Sequence, residues 1–226
     1  MRIISVAAPI GGVNSSPRQG GIRGAMRIAA AILFSTMVIT AASADSASAA
    51  QNRFTSIANK DCKFAPIGHE PGEEDDQLKT CPGLGGAKVL VNAFETRLRI
   101  GFVWPKGGRP GKPIWVVEAW SADFVIDWRG AKGPKDFVPH AAIVRMKFAR
   151  NGGPEVGDQV LAVIRVAHDS ACLMGAVDIG ANRNANELAH ALADAAPNFA
   201  CNKDKPVIDG VKTPAAEEIA RGIAEQ

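Results

Sequence analysis

Four histidines, His69, His140, His168 and His190, are the side chains of this 226-residue chain best suited to proton transfer or metal ligation near neutral pH. None stands in the HxxxH or HExxH spacing that sets two imidazoles on one helical face, so no zinc-type motif is present. His168-Asp169-Ser170 holds all three residue types of a hydrolase triad. Triad members converge from separate segments, and three consecutive residues cannot point at one centre, so the tripeptide reads as a turn at a strand end. No GxSxG motif occurs, and the pattern assigns no catalytic residue and no cofactor. A hydrolase acting on envelope material would have to use His140 or His168 with an Asp brought near by folding.

The glycines of Cys81-Pro82-Gly83-Leu84-Gly85-Gly86 look like a phosphate cradle, but such loops open a helix, and here a strand is expected to follow. The acidic run Glu70, Glu73, Glu74, Asp75 and Asp76 lacks the alternating ligands and central Gly of a calcium loop and reads as a solvated loop, so no metal site is assigned. The most suggestive stretch runs from Trp104 to Trp128. It contains all four tryptophans, Trp104, Trp115, Trp120 and Trp128, and the first two bracket a loop carrying Lys106, Arg109 and Lys112 without an acid. Indoles beside cations suit a carbohydrate, an anionic envelope polymer or a protein partner, because indole stacks and anchors while Lys and Arg pair with anions. The structural alternative is a basic hairpin tip between two core tryptophans.

All four cysteines, Cys62, Cys81, Cys172 and Cys201, lie beyond residue 50. Their spacing offers neither the close pairs of a zinc site nor a CxxC redox motif, so they read as two disulfides. Of the three connectivities, local geometry favours Cys62 with Cys81 and Cys172 with Cys201. In the second pair a strand of seven residues runs out about 23 Å, and a helix of twelve recovers about 18 Å.

Disulfides imply an oxidising compartment, and the N-terminal region carries a matching address. After Met26, Arg27 supplies a positive n-region, Ile28 to Ala42 an apolar stretch, and Ala47-Ser48-Ala49 a small-x-small cleavage pattern. Residues 1–50 therefore read as a leader with a secretory signal peptide cut near Ala49, and no membrane span is expected to remain after cleavage. Met26 is the expected start, residues 1–25 being an over-extended gene start or an unusually long n-region. The chain's formal charge of +3 belongs to this leader: removing residues 1–50 takes away four of 26 basic residues and one of 23 acidic, leaving 22 of each. A neutral exported chain has no electrostatic footprint for nucleic acid.

The elements that must position any site are mostly strands. Lys88–Phe94 and Arg97–Trp104 read as a hairpin, and Ile114–Trp120, Phe124–Trp128, Ala142–Phe148, Gln159–Val166 and Cys172–Ile179 continue the series. A helix from about Ala185 to Ala196 follows, with Asn184 and Glu187 spaced as a capping box, a stripe of Leu188, Leu192 and alanines, and Pro197 as its stop. The expected fold is α+β: an antiparallel sheet of six or seven strands with one packed C-terminal helix, in a single domain over residues 51–201. Residues 202–226 read as a polar tail with a short helix from Ala215 to Ala224 or no fixed structure.

Several fragments together resemble an uncharacterised family of small exported proteins of Gram-negative bacteria. They are Cys62, Cys81-Pro82-Gly83, Arg99, Asp127-Trp128-Arg129, Ala142-Ile143 with Arg145, and the closing run Cys172, Val177-Asp178, Ala185-Asn186, Ala189, Ala193-Asp194, Phe199 and Cys201. Where relatives tend to carry an acid two residues before the arginine of the second strand, this chain has Arg97. The resemblance implies export, disulfides and fold, and carries over no catalytic residue. Asp127 to Arg129 with Arg145 would form an anion or peptide site on a functional reading. On a structural one, Arg145 pairs with an acid, Trp128 packs in the core and Asp178 orders the turn before the helix. The function expected is a non-catalytic binding or inhibitor-like module of the periplasm, a small stapled sheet without convergent reactive groups being better suited to recognition than to turnover.

Overall fold

The computed structural model describes residues 50–66, 77–94, 96–107, 109, 111–132, 137–149 and 156–223. The leader, His69 and the acidic run from Glu70 to Asp76 lie outside the described residues.

Among the described residues eleven strands form two sheets. The first is a consecutive antiparallel meander of β2 (Lys63–Pro66), β3 (Gln77–Pro82), β4 (Lys88–Phe94), β5 (Arg97–Val103) and β6 (Ile114–Ala119). The second runs β1 (Gln51–Ser56), β7 (Ser121–Lys132), β8 (Phe137–Ala149), β9 (Val156–Ala167), β10 (Ser170–Asp178) and β11 (Val207–Ile208). It is antiparallel except where β11 pairs parallel to β10. The single sheet of six or seven strands expected from the sequence is thus corrected to two sheets, of six and five. The predicted series runs on without a break through Trp120, yet that residue alone separates β6 in one sheet from β7 in the other.

Burial explains why one sheet could not suffice. On the inner face, Val89, Val91, Ile100, Phe102 and Val117 of the five-stranded sheet join Ile126, Trp128, Ala142, Val144, Met146, Val160, Ala162 and Ile164 of the other in one core. Phe102 and Trp128 meet edge to face across the layers at 5.8 Å. The outer face of the same long strands is also buried: Ala141, Ile143, Leu161, Val163, Met174 and Val177 pack under the helix α1 (Ala185–Asp194). Strands buried on both faces read as continuous apolar runs and need a layer on each side.

Helix α1 meets the sheet through Ala185, Ala189 and Ala193, all buried, while Leu188 and Leu192 flank the contact. Small residues at the seam leave the volume to the branched side chains of β8 and β9. The Asn184 side chain makes no capping hydrogen bond, so the expected capping box is absent. The turn before α1 is ordered by the buried Asp178, whose Oδ1 accepts from Ala181 N at 2.8 Å and whose Oδ2 accepts from Thr213 Oγ1 at 2.6 Å.

That second bond also seats the C-terminal segment, which is no loose tail. Asn182 Oδ1 accepts from Val211 N at 3.0 Å, and β11 adds to the sheet edge. Helix α2 (Pro214–Ala220) starts on a Thr213 cap, with Pro214 in its first turn, and buries Ala215, Ala216 and Ile219 in the inner core. Two disulfides staple the fold, Cys62–Cys81 across β2 and β3, and Cys172–Cys201 from β10 to the segment after α1. No helix among the described residues is long and apolar enough to cross a membrane.

Candidate functional site

Beside helix α1, on the face of the sheet where β1, β7 and β8 run, lies a cleft of about 330 Å³. Val125, Ile143 and Leu161 give it an apolar floor, Phe54 stands on the β1 side, and Asn186, Ala189 and His190 of α1 form a wall. Asn52, Asp123, Asp127 and Arg145 supply its remaining polar groups. Strand alternation puts these residues together. Asn52 and Phe54 on β1, Asp127 on β7, and Ile143 and Arg145 on β8 all project from the face opposite the inner core.

Two hydrogen-bonded groups occupy the site. At one end His190 Nε2 lies 2.8 Å from Asp127 Oδ2, and Asn52 Nδ2 donates to both Asp127 oxygens at 3.0 Å. The Asn52 carbonyl accepts from Arg129 Nη1, and Arg129 makes a two-pronged pair with Asp194, Nε to Oδ1 at 2.9 Å and Nη2 to Oδ2 at 2.6 Å. At the other end Asp123 pairs with Lys147 Nζ and, at 3.4 Å, with Arg145 Nε. Among the described residues no hydrogen bond reaches the two Nη nitrogens of Arg145.

His140 sits where the β7–β8 register shifts, Arg129 facing Ala141 and Gly130 facing Pro139. Its Nε2 is buried, 3.9 Å from Asp194 Oδ1, with no hydrogen-bond partner among the described residues. Burial holds its pKa below the ordinary value of 6.5, with the Arg129 charge adding to the depression and Asp194 opposing it.

The tryptophan and cation loop is a different place. Trp104 is 5% exposed and Trp128 fully buried, with Trp128 Nε1 donating to Thr55 Oγ1 at 2.8 Å. Neither indole can offer a face to a ligand, which corrects the reading of Trp104 and Trp128 as binding residues. Apolar burial outcompetes display for the largest side chain in the chain. Trp115 is half-buried against Gly101, where an added Cβ would lie 2.7 Å from the indole, and Trp120 is half-buried too. Lys106, Arg109 and Lys112 are exposed. Lys106 Nζ pairs with Asp169 Oδ2 at 2.6 Å, and the exposed His168 Nδ1 lies 3.0 Å from the same oxygen. The hydrogen bond from Lys106 lowers the Asp169 pKa, and the His168 charge adds to this. His168 stands seven residues beyond Leu161 on the β9 side, about 23 Å along an extended chain, so this loop and the cleft are separate surfaces.

Of the residues singled out from the sequence, Arg145 lines the cleft and Arg129 braces its His190 end. Trp128 points to the opposite face of the sheet, and Lys106, Arg109, Lys112 and Trp115 belong to the loop. The structure brings neither His140 nor His168 into the cleft; the histidine there is His190. A signal for it exists in the sequence: Asn186, His190 and Asp194 recur every four residues, one position along from the buried Ala185, Ala189 and Ala193. A polar stripe flanking an alanine seam marks residues that look across at the neighbouring strands. Among the described residues no three His, Cys, Asp or Glu side chains are grouped to hold a metal ion. Comparison of the chain with protein-family models, with curated proteins and with solved structures found no match.

Proposed function

We propose that this protein is an exported binding module of the periplasm whose ligand site is the cleft beside α1, and that it holds its ligand without converting it. The cleft carries this reading. It is a concave site with an apolar floor and a few convergent polar groups, the ordinary make-up of a small-molecule site, and its size is at the lower end of such sites. Two disulfides, the signal-like leader and the resemblance to exported proteins support the compartment. Phe54, 64% exposed beside the cleft, provides an aromatic face at its entrance.

A binding assay tests the site. Purified protein is titrated calorimetrically against amino acids, simple sugars and short-chain organic acids, beside the variant Asn186→Trp, which overhangs the cleft from an exposed helix position. Binding by the wild type and its loss in the variant are expected; binding that survives the blocked cleft refutes the assignment. The N-terminus of the secreted protein should begin at Ala50 or Gln51.

A hydrolase reading has one observation in its favour, the His190–Asp127 contact at 2.8 Å within a cleft, the pairing a general base requires. It moves from His140 and His168 to His190. Among the described residues the lining contains no Ser, Thr or Cys, so the nucleophile would be water or one of the carboxylates Asp123 and Asp127. Mass spectrometry of a bound ligand distinguishes the readings: the binding module returns it unchanged, whereas turnover that disappears in His190→Gln favours the hydrolase.

A further inference from the structure

We infer that the ligand of the cleft is a zwitterion with an apolar side chain, an α-amino acid or a dipeptide, held with its carboxylate on Arg145 and its ammonium on Asp127. The inference rests on the cleft being the ligand site and adds the ligand's chemistry. The two ends of the cleft have opposite charge. Around Asp123 two cations, Arg145 and Lys147, face one carboxylate, an excess of one positive charge. Around Asp127 the pair Arg129–Asp194 cancels, and among the Asp, Glu, Lys and Arg side chains named there the Asp127 carboxylate remains as one formal negative charge.

The ends also differ in what they leave open. Asp123 Oδ2 lies 3.4 Å from Arg145 Nε, and among the described residues no hydrogen bond reaches the Nη edge of the guanidinium, the donor edge that receives a carboxylate in a forked pair. Among the described residues Asp127 meets Asn52 and His190 alone, and a carboxylate has about four lone-pair sites, so it has room for an ammonium donor.

Register sets the spacing. Asp127 faces Ile143 across the β7–β8 ladder, and Arg145 is two residues further on the same face of β8. With about 3.3 Å per residue and about 4.8 Å between strands, their Cα atoms lie roughly 8 Å apart. Side chains of these lengths, each reaching about 2.8 Å to a charged partner, span the two termini of one amino acid or of a dipeptide. Val125 and Leu161 on the floor, with Phe54 beside them, would meet its side chain. A volume near 330 Å³ admits one or two residues and not a polymer segment.

The probes are L-phenylalanine, 2-phenylethylamine with the ammonium alone, 3-phenylpropionate with the carboxylate alone, and glucose as an uncharged polyol, titrated against the full-length protein. L-Phenylalanine should bind at least tenfold more tightly than either half-charged analogue. Arg145→Gln should weaken L-phenylalanine and 3-phenylpropionate but not 2-phenylethylamine, and Asp127→Asn should do the reverse. The wild-type series needs no variant, so a folding defect in Asp127→Asn leaves the inference testable. Equal affinity for L-phenylalanine and one analogue overturns it, as does unchanged L-phenylalanine binding in Arg145→Gln. If glucose alone binds and Asn186→Trp abolishes it, the zwitterion is wrong and the cleft stands; if binding of any probe persists in Asn186→Trp, the cleft itself is wrong.

Discussion

Removing the Cys172–Cys201 bridge is the perturbation that best connects stability with the candidate site. Cys172 lies near the start of β10 and Cys201 just beyond α1, so the bridge ties the end of the helix-bearing segment to the sheet on which α1 rests. Its residues are 29 apart in sequence. Loop-closure entropy for a span of that size corresponds to about 3.6 kcal/mol at 25 °C, inside the ~2–5 kcal/mol usual for a native disulfide. The perturbation is the double variant Cys172→Ser/Cys201→Ser, and the assay is urea unfolding. With a slope of roughly 2–3 kcal/mol/M, the midpoint should fall by more than about 1 M.

Hydrogen exchange in the same variant locates the effect. Amides of α1 should lose protection well before those of the β4–β5 hairpin, because only the former are held by the bridge. Cys62→Ser/Cys81→Ser is the control. Its separation of 19 predicts a similar loss, about 3.2 kcal/mol, but from the five-stranded sheet, with α1 protection unchanged relative to the other strands. A midpoint within about 0.3 M of wild type for the first variant, or identical exchange patterns for the two, would refute the reasoning.

Three further outcomes are expected. Trp128→Ala, which empties a fully buried site and breaks the Thr55 bond, should destabilise by roughly 3–5 kcal/mol in urea unfolding, and a loss under about 1 kcal/mol would contradict its place in the core. His140 should make stability pH-dependent. Its folded-state pKa is below the unfolded value of 6.5, so the unfolded chain binds more protons between the two, and stability is complete above 6.5 and falls as pH decreases through that window. His140→Gln should flatten the midpoint-versus-pH curve there; an unchanged slope would contradict the assignment. Gly175→Ala, whose Cβ would lie 2.2 Å from the Val207 carbonyl oxygen, should push β11 off the sheet edge, costing about 1–3 kcal/mol and exposing the β11 amides to exchange.

Much of the fold could be read from local pattern. β4 spans Lys88–Phe94 as expected, and β5 to β10 differ from the predicted strands mainly in length. Strand β1 (QNRFTS) and strands β2 and β3 escaped because they are short and rich in polar residues, with little apolar alternation to mark them. The C-terminal segment looked loose because the apolar stripe of α2 is short, Ala215, Ala216 and Ile219, and the hydrogen bonds to Asp178 and Asn182 that seat it leave no periodic trace. The salt-bridge role of Arg97 was equally hidden: Arg97 and Arg99 share Glu118 on the adjacent strand, and Arg97 also reaches Glu218 on α2.

What the sequence determined by itself is what depends on near neighbours: alternation that makes strands, an alanine stripe that makes a helix seam, and cysteine spacings that favoured, without deciding, the pairing the structure shows. Tertiary structure decided the rest, namely which strands share a sheet, which tryptophans are hidden and which histidine stands in the cleft. Asn52 and His190 approach to 3.1 Å although 138 residues separate them. Their meeting follows from β1 pairing with β7 and α1 lying over β8 and β9, long-range choices made by burying both faces of the central strands at once. Such a choice belongs to the whole core, and no single segment carries its signature.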